Sequence, residues 1–249
     1  MTDVSRSPFD PTFADLPQVI PVFPLPGVLL LPGGKLPLNI FEPRYLSMIA
    51  DAIAGARVIG MIQPLKGEAA PTKSADGEAL ASPIGATSNG TVADDVTLYP
   101  MGCAGRITQF SETDDGRYLV TLSGLCRFAV LKELPLQKGY RRVIPAWTQF
   151  EGDMVEAAPA VAIDRERMVR ALRSYFKLNQ INANWDAIRD TPDDRLVTSL
   201  AMICPFAPSE KQALLECPDA NERARVLTAL MEMALLGAPQ GKGSETARH

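Results

Sequence analysis

The chain has 249 residues, of which 46% are hydrophobic and 22% charged, with a net charge of −4. That is ordinary globular composition, long enough for a real core, and it argues against a strongly basic nucleic-acid binder. The only histidine is the last residue, His249, which removes nearly all His-dependent catalysis and His-ligated metal sites.

The first 17 residues show no periodic apolar pattern and are expected to form a flexible N-terminal arm. They also lack the basic start and apolar run of a signal peptide, and no stretch is long enough to span a bilayer, so a cytoplasmic protein is expected. Next comes VFPLPGVLLLPGGKLPLNIFEPRY, residues 22–45, an apolar ribbon punctuated by prolines. Each proline forbids a ladder donor, so segments 18–23, 28–31 and 36–40 suit short strands turning corners around a small, bent barrel.

Pro43 then fits the first turn of a helix carrying Tyr45, Met48, Ile49, Ala52 and Ile53 at helical spacing, with Gly55 placed to end it. Residues 58–63, VIGMIQ, read as a buried strand. Residues 65–93 are rich in Ala, Gly, Ser and Thr, which predicts a long mobile surface loop, with a short strand near 83–86. A strand over 102–112 leads into the Asp-Gly hairpin turn of residues 113–117, and YLVTLSGL, RFAVLKEL and YRRVIPAWTQF follow as further antiparallel strands.

After about residue 152 the pattern becomes helical. Val161, Met168, Leu172, Tyr175 and Phe176 mark one helix. Thr191, Pro192, Asp193 and Asp194 open a second, and APSEKQALLE is a third. A fourth begins at Asp219 and carries Val226, Leu227, Leu230, Met231, Ala234 and Leu235 as its apolar stripe, closing on Gly237. The change of pattern predicts two subdomains with separate cores.

Several of these segments resemble the N-terminal, substrate-binding domain of the Lon protease family, which also occurs in stand-alone bacterial proteins and in cereblon. The resemblance rests on IPVFPLPGVLLLPGGKLPLNIFEPRY, LYPMGCAGRI, DGRYLVTLSGLCRF and KQALLECPDANERARVL, which together extend over most of residues 18–236. It implies an α+β fold: a PUA-like β-barrel with one helix over 18–152, then a C-terminal α-helical bundle over 153–237, with 238–249 a disordered tail. No phosphate loop and no Ser-Lys peptidase segment stand in the sequence, so a non-catalytic, proteolysis-associated module without cofactor, metal or catalytic residues is expected.

Cys103, Cys126, Cys204 and Cys217 are scattered and read as reduced, buried thiols. The pairs Asp94-Asp95, Asp114-Asp115 and Asp193-Asp194 suit a loop, a turn and a helix start rather than acid–base catalysis. Two functions of different class remain open. The first is a module that binds exposed apolar segments of unfolded or partner polypeptides, in concert with a protease or chaperone, through Val28, Leu29, Leu30 and Phe41. Weak homo-oligomerisation is compatible with it. The second is a PUA-like domain binding RNA or a small ligand through Lys138, Arg141 and Arg142, although strand alternation sets the two arginines on opposite faces.

Overall fold

The computed structural model describes residues 10–65, 96–155 and 163–237. The loop expected over 65–93, with its strand near 83–86, falls outside them apart from Leu65, as do Asp94-Asp95, Val161, the first nine residues and the tail from 238. The described residues form six strands: β1 (Ile20–Pro24), β2 (Lys35–Ile40), β3 (Val58–Pro64), β4 (Leu98–Glu112), β5 (Tyr118–Gln137) and β6 (Tyr140–Ala146). They hydrogen-bond in the order β2-β5-β4-β3-β1-β6, and β6 pairs again with β5. That second pairing closes β1, β3, β4, β5 and β6 into a barrel and leaves β2 outside, on the first third of β5.

One strand makes the closure possible. The sequence suggested separate strands at YLVTLSGL and RFAVLKEL, but β5 is continuous over 20 residues. Its ladder with β4 slips between Ala104 and Gly105, where Leu125 is the extra residue, and again between Ile107 and Gln109. Bulges bend a strand without ending it, so β5 starts beside β2 and finishes beside β6. The Asp-Gly turn before it is as expected, with Gly116 at φ +78°.

The ribbon of residues 25–34 is not a strand. It crosses β5 at Gly124, where a Cβ would lie 2.0 Å from the Leu31 carbonyl oxygen, so no larger residue fits. The Gly124 N–H donates to the Gly34 carbonyl (2.8 Å) and its own carbonyl accepts from Gly33 N–H (3.0 Å). Helix α1 (Pro43–Ala54) follows, burying Tyr45, Met48, Ile49 and Ala52.

Two apolar clusters hold the molecule. The smaller fills the barrel, with Ile20, Val22, Val58, Ile62 and Val143 around Phe128, which lies against Gly60 and Gly102. The larger takes the opposite face of the strands, so β3 is buried along its whole length. It continues without a break from Leu29, Leu30, Leu31 and α1 into the helices α2 (Arg165–Leu178), α4 (Asp193–Ile203), α5 (Pro208–Glu216) and α6 (Ala220–Gly237). The expected pair of separate cores is thereby corrected. The apolar stripes of the helices pack on one another, α2 against α6 above all, and the same cluster runs on into the ribbon and the outer barrel face. A short helix, α3 (Trp185–Asp190), was not anticipated, being too brief for a visible stripe; Asn184 caps it through Asp186 and Ala187 N–H.

Part of the presumed N-terminal arm is also fixed: Leu16 is buried, and Asp10 pairs with Arg106 at 2.6 Å. The two halves meet at Arg127 of β5. Its guanidinium grips both carboxylate oxygens of Asp153 (2.8 Å each) and donates to the carbonyls of Cys217 (2.5 Å), Pro218 (3.2 Å) and Leu215 (3.3 Å) at the end of α5. Burial works against this charge, but the hydrogen bonds and charge of Asp153 outweigh it. Gln63 makes a second tie, accepting from Gly27 N–H (3.0 Å) and donating to Pro208 O (2.8 Å). Lys211 is buried in α5 and donates to Met202 O at the end of α4 (2.9 Å), and burial pushes its pKa down to about 8.

Replacing Arg127 by Ala strands Asp153 and the carbonyls at the end of α5, and should lower the unfolding free energy by about 3–5 kcal/mol. A shift of the urea midpoint worth less than about 1 kcal/mol would show that the halves are joined elsewhere. For Lys211 the folded pKa lies below the unfolded value near ~10.4, so the folded state is penalised below pH 8 and relieved as pH rises towards 10. Between pH 7 and pH 10 the stability of the natural protein relative to Lys211→Met should therefore improve by roughly 1–3 kcal/mol. Comparing the two proteins at each pH cancels the ionisation of the buried thiols.

Candidate polypeptide-binding surface

Beyond the barrel, β2, the start of β5 and the end of β4 continue as a three-stranded sheet. Ile40 pairs with Tyr118 and Asn39 with Leu119, while Glu112, Ser111 and Phe110 pair with Tyr118, Leu119 and Val120. One face carries Leu36, Leu38, Val120 and Leu122 into the larger core. At its outer end Phe110 meets Tyr118 edge-on, with ring centroids 4.9 Å apart. Successive strand residues face opposite ways, so Leu119 stands on the other face. Phe110 is 46% exposed, Leu119 45% and Phe41, directly after β2, 37%. Large apolar side chains thus reach solvent from both faces of one sheet end.

The residues selected from the sequence divide. Phe41 is at this end of the sheet and Val28 is half-buried. Leu29 and Leu30 are core residues, 3% and 1% exposed, which corrects the surface role expected of them. The apolar residues of the ribbon are enclosed between the barrel and the helices, and its half-buried prolines, Pro26 and Pro32, stand in its two turns. Phe110, Tyr118 and Leu119 were missed. Their signal was present: Tyr118, Val120 and Leu122 alternate inward, so Leu119 is an apolar residue out of phase.

The basic trio does not make a free cationic patch. Lys138 pairs with Asp51 (2.7 Å), which also accepts from the Tyr140 hydroxyl (2.8 Å) and the Gln137 amide (3.2 Å). The hydrogen bond from Lys138, followed by that from Tyr140, lowers the Asp51 pKa. Burial, reinforced by Asp51, raises Tyr140 to about 12. Arg141 is buried, bonded to Glu133 (2.5 and 2.6 Å) and to Val96 O (2.6 Å). Arg142 donates to Pro135 O (3.2 Å). A cleft of about 450 Å³ lined by residues 96–100, Val130, Glu133 and Arg141 is therefore walled by a guanidinium already committed.

The carboxylate pairs within the described residues have structural partners: Asp115 with Thr113 and Arg117, and Asp193 with Arg165. The four cysteines are buried and unbridged, and burial pushes the thiols of Cys103, Cys204 and Cys217 up. Among the described residues no helix is long and apolar enough to cross a membrane.

A family model described as the ATP-dependent protease La (LON) substrate-binding domain matches residues 19–233. Lon protease 2 of Myxococcus xanthus is 26% identical over 220 residues, which is 87% of this chain and 24% of that protein. Lon protease of Anaeromyxobacter dehalogenans is 24% identical over 220 residues, 87% of this chain and 23% of that protein. The chain thus spans about a quarter of the length of these curated relatives. A solved Lon N-terminal domain protein from Xanthomonas campestris superposes with a TM-score of 0.52 at 21% identity, covering 85% of this chain and 97% of that one. The N-terminal domain of Mycobacterium avium complex Lon protease also gives 0.52, at 16% identity, with 86% and 98% covered.

Exchange at the sheet end should be nearly neutral for folding while exchange in the ribbon should not. Phe110→Ser and Leu119→Ser are expected to change stability by less than about 1 kcal/mol, and Leu30→Ala to lower it by about 2–5 kcal/mol, read as shifts in the urea midpoint. Similar losses in all three would place Phe110 and Leu119 in the core.

Proposed function

The chain belongs to the ATP-dependent protease La (LON) substrate-binding domain family, and on that premise we propose that it binds exposed apolar segments of other polypeptides at the end of its sheet. The observation that carries this reading is that Phe110, Leu119 and Phe41 are exposed, with Tyr118 partly buried beside Phe110, on the two faces of one sheet end. Apolar side chains gathered at one sheet end in this way are the kind of surface that marks interaction sites. At about 25 cal/mol per Å² a few such side chains support weak, broadly selective binding, suited to clients that share no sequence.

The proposed role is non-catalytic: an adaptor that holds a client for a protease or a chaperone. Three of the cysteines are thiols held protonated by burial, and the acidic pairs at 114–115 and 193–194 serve a turn and a helix start. RNA binding is disfavoured because Lys138 and Arg141 are paired with carboxylates and Arg142 is turned to a carbonyl.

A fluorescent unfolded peptide and a short RNA should be titrated at low and high salt. Peptide binding should persist at high salt, since apolar contacts are not screened, and should weaken severalfold in Phe110→Ser. RNA should bind no better than a salt-sensitive background. Tight RNA binding abolished by Arg142→Glu would overturn the reading.

A further inference from the structure

Among the described residues the sheet end has two free edges, and they are built differently. The β2 edge carries Lys35 and has Pro37 at its middle, which removes a main-chain donor; both features blunt an edge against pairing. The other edge belongs to β4. Strand β3 accompanies β4 only to the pair Val58 and Arg106, after which Ile107 N–H still donates to Arg57 O (2.8 Å). From residue 108 to 112 no described strand lies on that side, all five residues are exposed, and none is Lys, Arg or Pro.

The hairpin determines which groups this edge offers. Thr113 N–H donates to Arg117 O at 2.9 Å, so these two residues form a hydrogen-bonded pair. Antiparallel alternation makes Ser111 with Leu119, and Gln109 with Thr121, the next hydrogen-bonded pairs. Phe110 and Glu112 consequently turn their N–H and C=O away from β5, two donor–acceptor sets roughly 7 Å apart. That spacing is the two-residue repeat of an extended peptide backbone, which offers a matching acceptor and donor at each set.

We propose that an extended segment of the client polypeptide adds to residues 108–112 as a further strand. This rests on the polypeptide-binding reading above and names its mode. Main-chain hydrogen bonds supply sequence-independent affinity, and alternate side chains supply preference. On one face the client residue opposite Phe110 meets the Phe110–Tyr118 pair; on the other, a side chain passes over the small Ser111 towards Leu119. Preferred clients are therefore segments with aromatic or β-branched residues at alternate positions, the segments that unfolding exposes from sheets.

The test uses the full chain and three fluorescent heptapeptides of alternating Val and Thr with a central Phe: one unmodified, and two N-methylated on alternate backbone nitrogens in either phase. Strand addition predicts that the unmodified peptide binds, that one phase of methylation weakens binding about tenfold, and that the other phase is tolerated. Glu112→Pro, which removes one outward donor, should weaken the unmodified peptide about three- to tenfold, and Phe110→Ser should do so independently. If Glu112→Pro fails to fold, Phe110→Ser and the phase comparison decide. Equal binding of all three peptides would mean docking by side chains alone: strand addition falls and the polypeptide reading stands. Phase dependence that neither variant alters would put the added strand on another edge and overturn the assignment to β4. No binding of any peptide would overturn both.

Discussion

The structure turns on the position of Arg127. A guanidinium 7% exposed in the middle of a β-strand is a large desolvation penalty unless its donors are satisfied. Here a two-pronged carboxylate and three main-chain carbonyls meet it, and they come from the segment after β6 and from the end of α5. A hydrophobic residue could occupy the space, but it could not say where the α5–α6 turn belongs. The arginine does, because a planar fork accepts few arrangements. Its neighbour Phe128 fills the barrel, so two consecutive residues of β5 set the interior of one half and the docking of the other.

This placement explains which parts of the fold were legible in the sequence. Local signals were sufficient where a single element decides its own geometry: Pro43 and Gly55 bound α1, Asp-Gly makes the hairpin, and Asp219 caps α6 through Glu222 N–H at 2.8 Å. They failed where two elements meet. Nothing in residues 28–31 distinguishes an apolar ribbon on the surface from one roofed by helices, and it is the core that Leu29, Leu30 and Leu31 share with α2, α4, α5 and α6 that shows it is roofed. The break read between YLVTLSGL and RFAVLKEL falls at Cys126, beside the bulge at Leu125, a bend that local pattern cannot tell from an end. The partner of Lys138, Asp51, was illegible for the same reason, lying far away along the chain, whereas Arg141 and Arg142 bond to Glu133 and Pro135 across the adjoining hairpin.

The sheet end follows from the same economy of strands. Because β5 must be long enough to reach both β2 and β6, and β4 must follow it, the hairpin between them overshoots the barrel. Among the described residues no helix covers the overshoot, and its apolar residues would be a hazard in a protein that must not aggregate. The β2 side is protected by Lys35 and Pro37. The β4 side is left open, and the difference between two edges of one sheet is harder to attribute to chance than a single exposed phenylalanine.

An open edge beside a modest apolar group also suits the physical demands on a binder of many clients. Burying a deep pocket would select one side chain; a groove of fixed charge would select one composition. Main-chain groups are common to every polypeptide, yet they are available only where a client is not folded, since folded proteins have already paired theirs. Recognition through the backbone therefore discriminates by state rather than by sequence. In the proposed mode Phe110, Tyr118 and Leu119 would add a bias towards the apolar segments that unfolding uncovers, without the strength that would prevent release. The proposed edge stands on a barrel filled by Phe128 and tied to the helices by Arg127, so on this mode the client would carry most of the loss of conformational freedom on binding.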